Sequence, residues 1–144
     1  MRSGLVVAAA VLCGVAIAIQ AQFIGMLQRQ MGTLESTFVT YFSGGMVIGL
    51  VMLVARGGSL GAGAGLPWYA YSGGIIGLFI IGAIARSVGD LGLVPALVLI
   101  TVSQFVVGAL IDHFGLFGAP VSPIDPAKVA GFALLGLGTY LVLR

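Results

Sequence analysis

Residues 94–115 read VPALVLITVSQFVVGALIDHFG. The run is long enough to cross a bilayer as a helix, which takes about 20 apolar residues for ~30 Å of hydrocarbon. It is apolar almost throughout, yet Gln104 stands near its middle and Asp112 lies further along. Thr101, Gln104, Gly108 and Asp112 fall at i, i+3, i+7 and i+11, so on a helix they form one stripe. A polar stripe on a membrane helix must face protein or a watery cavity, because lipid cannot satisfy its hydrogen bonds. The rest of the chain reads as scaffold that gives this stripe something to face.

Composition agrees with a membrane solvent. Of 144 residues, 60% are hydrophobic and only 7% charged, with a mean hydropathy of +1.20. Soluble domains carry about 25% charged residues, so this is an integral membrane protein. The net charge of +2 comes from few residues and gives no footprint for nucleic acid; basic residues at membrane helix ends account for it. The single cysteine, Cys13, excludes an internal disulfide. No residues have metal-ligand spacing, and no cofactor is expected. Many of the 24 glycines lie inside apolar runs, where they let helices approach closely.

The fold class expected is all-α, with five transmembrane helices at about 4–27, 36–55, 68–87, 94–114 and 127–143 in a single domain, residues 1–144. The first run is too long for the apolar stretch of a signal peptide, about 7–15 residues, and is read as a retained helix. Its Ala10, Gly14 and Ala18 make a small-residue seam, and Gln20 and Gln22 follow. Those two amides stand about 200° apart, so at most one faces a given cavity. A polar link at Gln28–Thr33 leads to the second span, where Glu35 complements the positive helix start. Tyr41 and the Gly45–Gly49 pair lie inside that span. The Gly-rich loop after Arg56 lacks the G-K-[ST] of a phosphate loop.

Pro67-Trp68-Tyr69 opens the third span as an interfacial aromatic belt, and Gly73, Gly74 and Gly77 give that helix a bare packing face. Arg86 and Asp90 are expected as a solvated headgroup pair at the turn into the fourth span, and Asp112 and His113 as residues near an interface. Gly115 follows that span's end. Asp125-Pro126 reads as the start of the fifth helix, aspartate capping and proline at the first helical position. No Ser/His/Asp set or paired carboxylates appear, so an enzyme is not expected.

Basic residues in the loops divide evenly, with Arg2, Arg56 and Lys128 on one side and Arg29, Arg86 and Arg144 on the other. The positive-inside rule therefore gives no orientation. One reading is a small sample of charges; the other is dual topology, in which copies insert both ways and pair head to tail. Such a pair forms a five-plus-five inverted repeat, an architecture common among transporters.

The fourth span, with Gln104, Gly108, Asp112, Phe114 and Gly115, resembles the Q-x3-G-x3-D-x-F-G pattern of the YdcZ-type family. Gln20, Pro67-Trp68, Gly74 and Gly77 extend the resemblance along the chain. These are small five-helix bacterial inner-membrane proteins of the drug/metabolite transporter superfamily. The resemblance implies an exporter acting as a five-plus-five dimer. The superfamily's small multidrug exporters keep a deep glutamate in their first helix, whereas this first span has glutamines and no carboxylate.

The expectation is thus a multi-pass inner-membrane carrier of small polar or amphiphilic solutes, acting by alternating access as an antiparallel homodimer. Gln104, Gln20, Thr101 and Tyr41 are the candidate substrate residues. Asp112, Gly108 and Gly115 are candidates for gating or packing, and Gly45, Gly49, Gly73, Gly74 and Gly77 for helix packing. The partners expected are a reversed second copy, a small-molecule substrate and the bilayer. A non-transporting membrane subunit and a channel are the alternatives.

Overall fold

The computed structural model describes the chain apart from residues 1, 56 and 59–64, and for Arg2 and Ser3 it describes the backbone alone. The described residues form helices and connections, with five helices long and apolar enough to cross a membrane. These are α1 (Arg2–Met31), α2 (Thr33–Val54), α3 (Gly73–Leu91), α4 (Leu93–Phe114) and α5 (Pro126–Leu143). The spans agree with the sequence reading in number and order, and differ at their ends.

The differences have local causes. Residues 28–33 are not a polar link, because α1 continues to Met31 and α2 begins at Thr33. Gln28, Arg29 and Gln30 are good helix formers, so their polarity marks the end of the apolar span rather than of the helix. Gly32 alone breaks the helix, at φ 100° and ψ 170°, a conformation that favours glycine. The third helix likewise runs past Ser87 to Leu91 and breaks at Gly92, with φ 89° and ψ 167°. Arg86 and Asp90 therefore lie on α3 itself, where they form an i,i+4 ion pair on the exposed surface. At its other end, the expected helix start at Trp68 is a 3-10 turn over Trp68–Ser72 that follows Pro67, and α3 proper begins at Gly73.

Two compact units divide the chain, Met1–Asp90 and Leu91–Arg144. In the first, α1, α2 and α3 meet around buried Ala21, Ile24, Ser36, Ala85 and Val88. Glycines on two helices permit the approach. The Val88 side chain presses onto Gly25, the Gln28 amide covers Gly89 and the Tyr41 hydroxyl covers Gly77. A Cβ at Gly82 would lie 3.6 Å from Thr37 Oγ1. Thr33, Thr37 and Tyr41 follow one another at i, i+4 and i+8, so one face of α2 meets α3.

In the second unit α4 packs against α5. Gly115 ends α4 in the left-handed region, φ 62° and ψ 31°, and its amide donates back to Ile111. Asp125 caps α5 as its sequence predicts, its Oδ1 accepting from the Lys128 amide at 2.7 Å, with Pro126 in the first turn. Little of either unit is interior: in the apolar window of each span, at most 11% of residues are buried. The apolar residues face outward, as they do when lipid is the solvent.

Candidate functional site

Hydroxyls and amides behave differently on these helices. Thr37 donates to the Thr33 carbonyl at 2.7 Å, Thr40 to Ser36 at 2.8 Å, Ser103 to Ile100 at 2.8 Å and Thr139 to Leu135 at 2.7 Å. These short side chains satisfy themselves on their own backbone and need no partner in lipid. Gln104, Gln20, Thr101 and the Asp112 carboxylate make no side-chain hydrogen bond among the described residues. Their polarity is open to something outside the unit that carries them.

Gln104 lies halfway along α4, about 15 Å from either end at 1.5 Å per residue. It lines a cleft of about 420 Å³ between α4 and α5. The α4 wall is Gln104, Phe105, Gly108, Ala109 and Asp112, and the α5 wall is Lys128, Gly131, Phe132 and Leu135. Nothing lies within 4 Å of where a Cβ would stand at Gly108 or Gly131, so the bare backbone leaves room beside the amide. Thr101, on the same stripe, lines an adjoining cleft of about 620 Å³ that shares Gly131 and Leu135. The predicted stripe is thus one wall of a continuous groove facing α5. Residues near the start of α4 lie opposite the end of α5, and the reverse, so the two helices run antiparallel.

Charge is confined to one end of this groove. Asp112 and Lys128 both line it, yet they form no ion pair with each other. Lys128 Nζ donates instead to the Ser122 carbonyl at 3.2 Å, the Ser122 hydroxyl at 2.8 Å and the Pro123 carbonyl at 3.0 Å. An ammonium has three donors, and all three are engaged by the loop, which leaves the alkyl stem to the cleft. Asp112 likewise meets the loop through its backbone, its carbonyl accepting from the Ser122 amide at 2.8 Å. Its carboxylate stays exposed at the groove's mouth.

The other two candidates meet in the first unit. Gln20 and Tyr41 line a cleft of about 420 Å³ with Thr40, Gly44, Gly45 and Ile81. A smaller one beside it, about 330 Å³, shares Gln20, Thr40 and Gly44. Tyr41 is half-buried and also packs over Gly77, whereas Gln20 is exposed. Gln22 lines neither cleft, in keeping with the angle between the two amides. Among the proposed packing glycines, Gly77 makes a close contact within the chain. Gly45, Gly49, Gly73 and Gly74 have open space where a Cβ would stand.

Sequence reasoning missed the α5 wall. Lys128, Gly131 and Leu135 fall at i, i+3 and i+7, a stripe as regular as that of α4. The signal was present, but a lysine in a first turn reads as an interfacial charge. Gly25 and Gly89 were missed too, because nothing in a run of glycines says which ones another side chain will cover.

No curated protein and no solved structure matches this chain with significance. Residues 5–141 match the family described as "putative inner membrane exporter, YdcZ". That match covers nearly the whole sequence and reaches all five spans. The chain belongs to the YdcZ family and is a multi-pass protein of the inner membrane.

Proposed function

We propose that this protein moves small polar or amphiphilic solutes across the inner membrane by alternating access, as an antiparallel homodimer. The observation that carries the reading is the Gln104 amide, unpaired among the described residues, at mid-span beside a glycine-lined cleft. An amide left unpaired in hydrocarbon costs several kcal/mol, so it must meet water, solute or a second chain. Gln20, with Tyr41 beside it, poses the same requirement on α1. In an antiparallel pair, mid-span residues lie close to the two-fold axis, so the amides of both copies gather near one plane. Rocking of the two inverted copies about that plane then exposes the site to each side in turn.

Both amides supply donors and acceptors. Phe105, Phe132 and Leu135 supply an apolar wall beside Gln104. That combination suits a solute with a polar head and an apolar body. The test is transport by purified protein in liposomes, wild type against Gln104→Leu, which keeps bulk and removes the amide. The expected outcome is a folded variant that neither binds nor moves the solute. Normal transport by the variant, or its simple disassembly, would assign the amide to helix–helix bonding. Such bonds contribute on average only about 0.6 kcal/mol in membrane bundles. If the wild type moves nothing without another protein, the chain is an assembly subunit and the carrier reading fails.

A further inference from the structure

The loop from Gly115 to Asp125 is fastened at successive points to the ends of the helices it joins. A Cβ at Gly115 would come within 2.8 Å of Val121 Cγ2, so the loop folds back against the end of α4. The Ser122 amide donates to the Asp112 carbonyl at 2.8 Å, and the Ile124 amide donates to His113 Nδ1 at 3.1 Å. Within the same loop Phe117 sits at φ 57°, a left-handed conformation that persists in a bulky residue only where its surroundings over-determine it. The loop is therefore held in place rather than merely slack.

Of these fastenings, the one to His113 depends on protonation. Nδ1 can accept the Ile124 N–H only while it carries no proton of its own; an imidazolium has two donors and no acceptor. From this geometry we infer that His113 is a proton-operated latch, fastening the α4–α5 loop to the end of α4 at the mouth of the Gln104 cleft. The mouth is the place where it acts, since Asp112 precedes His113 and Lys128 both lines the cleft and holds Ser122 and Pro123. The charged groups that border this fastening along the chain are Asp112 on the same helix, Asp125 next to Ile124, where its carboxylate caps α5, and Lys128, whose ammonium is held by Ser122 and Pro123. The latch is closed while the ring is neutral and released when Nδ1 takes up a proton. It stands on the loop geometry and does not require that the cleft bind a solute.

The test is backbone amide hydrogen exchange on the whole chain in lipid nanodiscs at pH 8 and pH 5, corrected for the intrinsic pH dependence of exchange. In the wild type, protection of the Ile124 amide should fall about tenfold at the lower pH, the factor equivalent to one net hydrogen bond. Ser122 should follow, while amides in the middle of α5 should not. His113→Asn puts an amide oxygen near the position of Nδ1 and cannot titrate, so it should keep the loop protected at both values. His113→Phe keeps a ring without an acceptor and should leave the loop exchanging quickly at both. Equal protection of Ile124 at the two pH values in the wild type overturns the latch, as does a pH response that survives in the Asn variant. Both outcomes are read without a transport assay, so a failed latch leaves the carrier reading untouched, and the reverse.

Discussion

At Gly115 the φ of 62° and the nearness of Val121 together leave no room for a side chain. Gly115→Ala is expected to destabilise the folded protein by about 1–2 kcal/mol, the cost of a left-handed L-residue. Thermal unfolding in detergent measures this, and a variant as stable as wild type would show that the loop re-forms without the turn. Asp112 presents a contrasting case, since its carbonyl fastens the loop while its carboxylate makes no bond among the described residues. Asp112→Asn should keep the fold and the protection of the Ser122 amide, and should slow transport by removing the charge at the cleft mouth. Sequence alone located Gln104, because a polar residue in the middle of an apolar run is conspicuous. It could not say that Lys128 bonds to Ser122 and Pro123, because those bonds depend on how the loop turns back. Arg86 and Asp90, expected as a solvated pair, do meet on the exposed surface, one turn apart on α3.

At the scale of the helices, the number and order of spans were legible because hydrophobic length is a direct consequence of bilayer thickness. Their ends were not, since Gln28 to Gln30 and Arg86 to Asp90 leave the apolar span while staying helical. The two glycine breaks resemble each other closely, Gly32 at φ 100° and ψ 170° and Gly92 at φ 89° and ψ 167°. Each accepts from an amide four residues on, Ser36 at 3.2 Å and Ala96 at 3.3 Å, and both of those residues are buried. The same local glycine break in the helical backbone is thus used twice. Packing of α3 against α1 turns on Gly25, where a Cβ would overlap Val88, a fully buried residue whose β-branched side chain has little freedom to move. Gly25→Ala should therefore destabilise the fold by about 1–3 kcal/mol, the usual cost of overpacking. Adding Val88→Ala should recover part of that loss, and a double-mutant cycle in detergent measures the coupling. Independent, additive effects would mean that α1 and α3 do not meet there. Gly45→Ala and Gly74→Ala, with open space around them, should leave the chain's own fold intact; a loss of dimer there would mark them as faces toward a second copy.

For the whole molecule the question is what covers the polar groups that five helices leave uncovered. Composition and spacing made the membrane class and the family legible, and the match over residues 5–141 bears out the family. Pairing was not legible in the same way, since a charge balance constrains insertion and says nothing of contact. The basic residues nevertheless divide evenly between the two sides, so nothing in them favours one insertion over the other. A chain that inserts both ways can supply an inverted partner without a second gene product. Leu66 offers a place to read this, since it lies between α2 and the Trp68 turn and is 58% exposed. Leu66→Cys, with Cys13→Ala to remove the native thiol, should be modified by a membrane-impermeant thiol reagent from both sides of the membrane in comparable amounts. Adding Lys at Gly57 and Gly58, in the same connection, should bias insertion so that this loop stays cytoplasmic. In that background labelling should come from one face alone, and transport should vanish until a copy biased the other way is co-expressed. Labelling of the unbiased protein from one face alone would rule out dual topology, and the mid-span amides would then have to be covered by a parallel copy or by a different chain of opposite orientation.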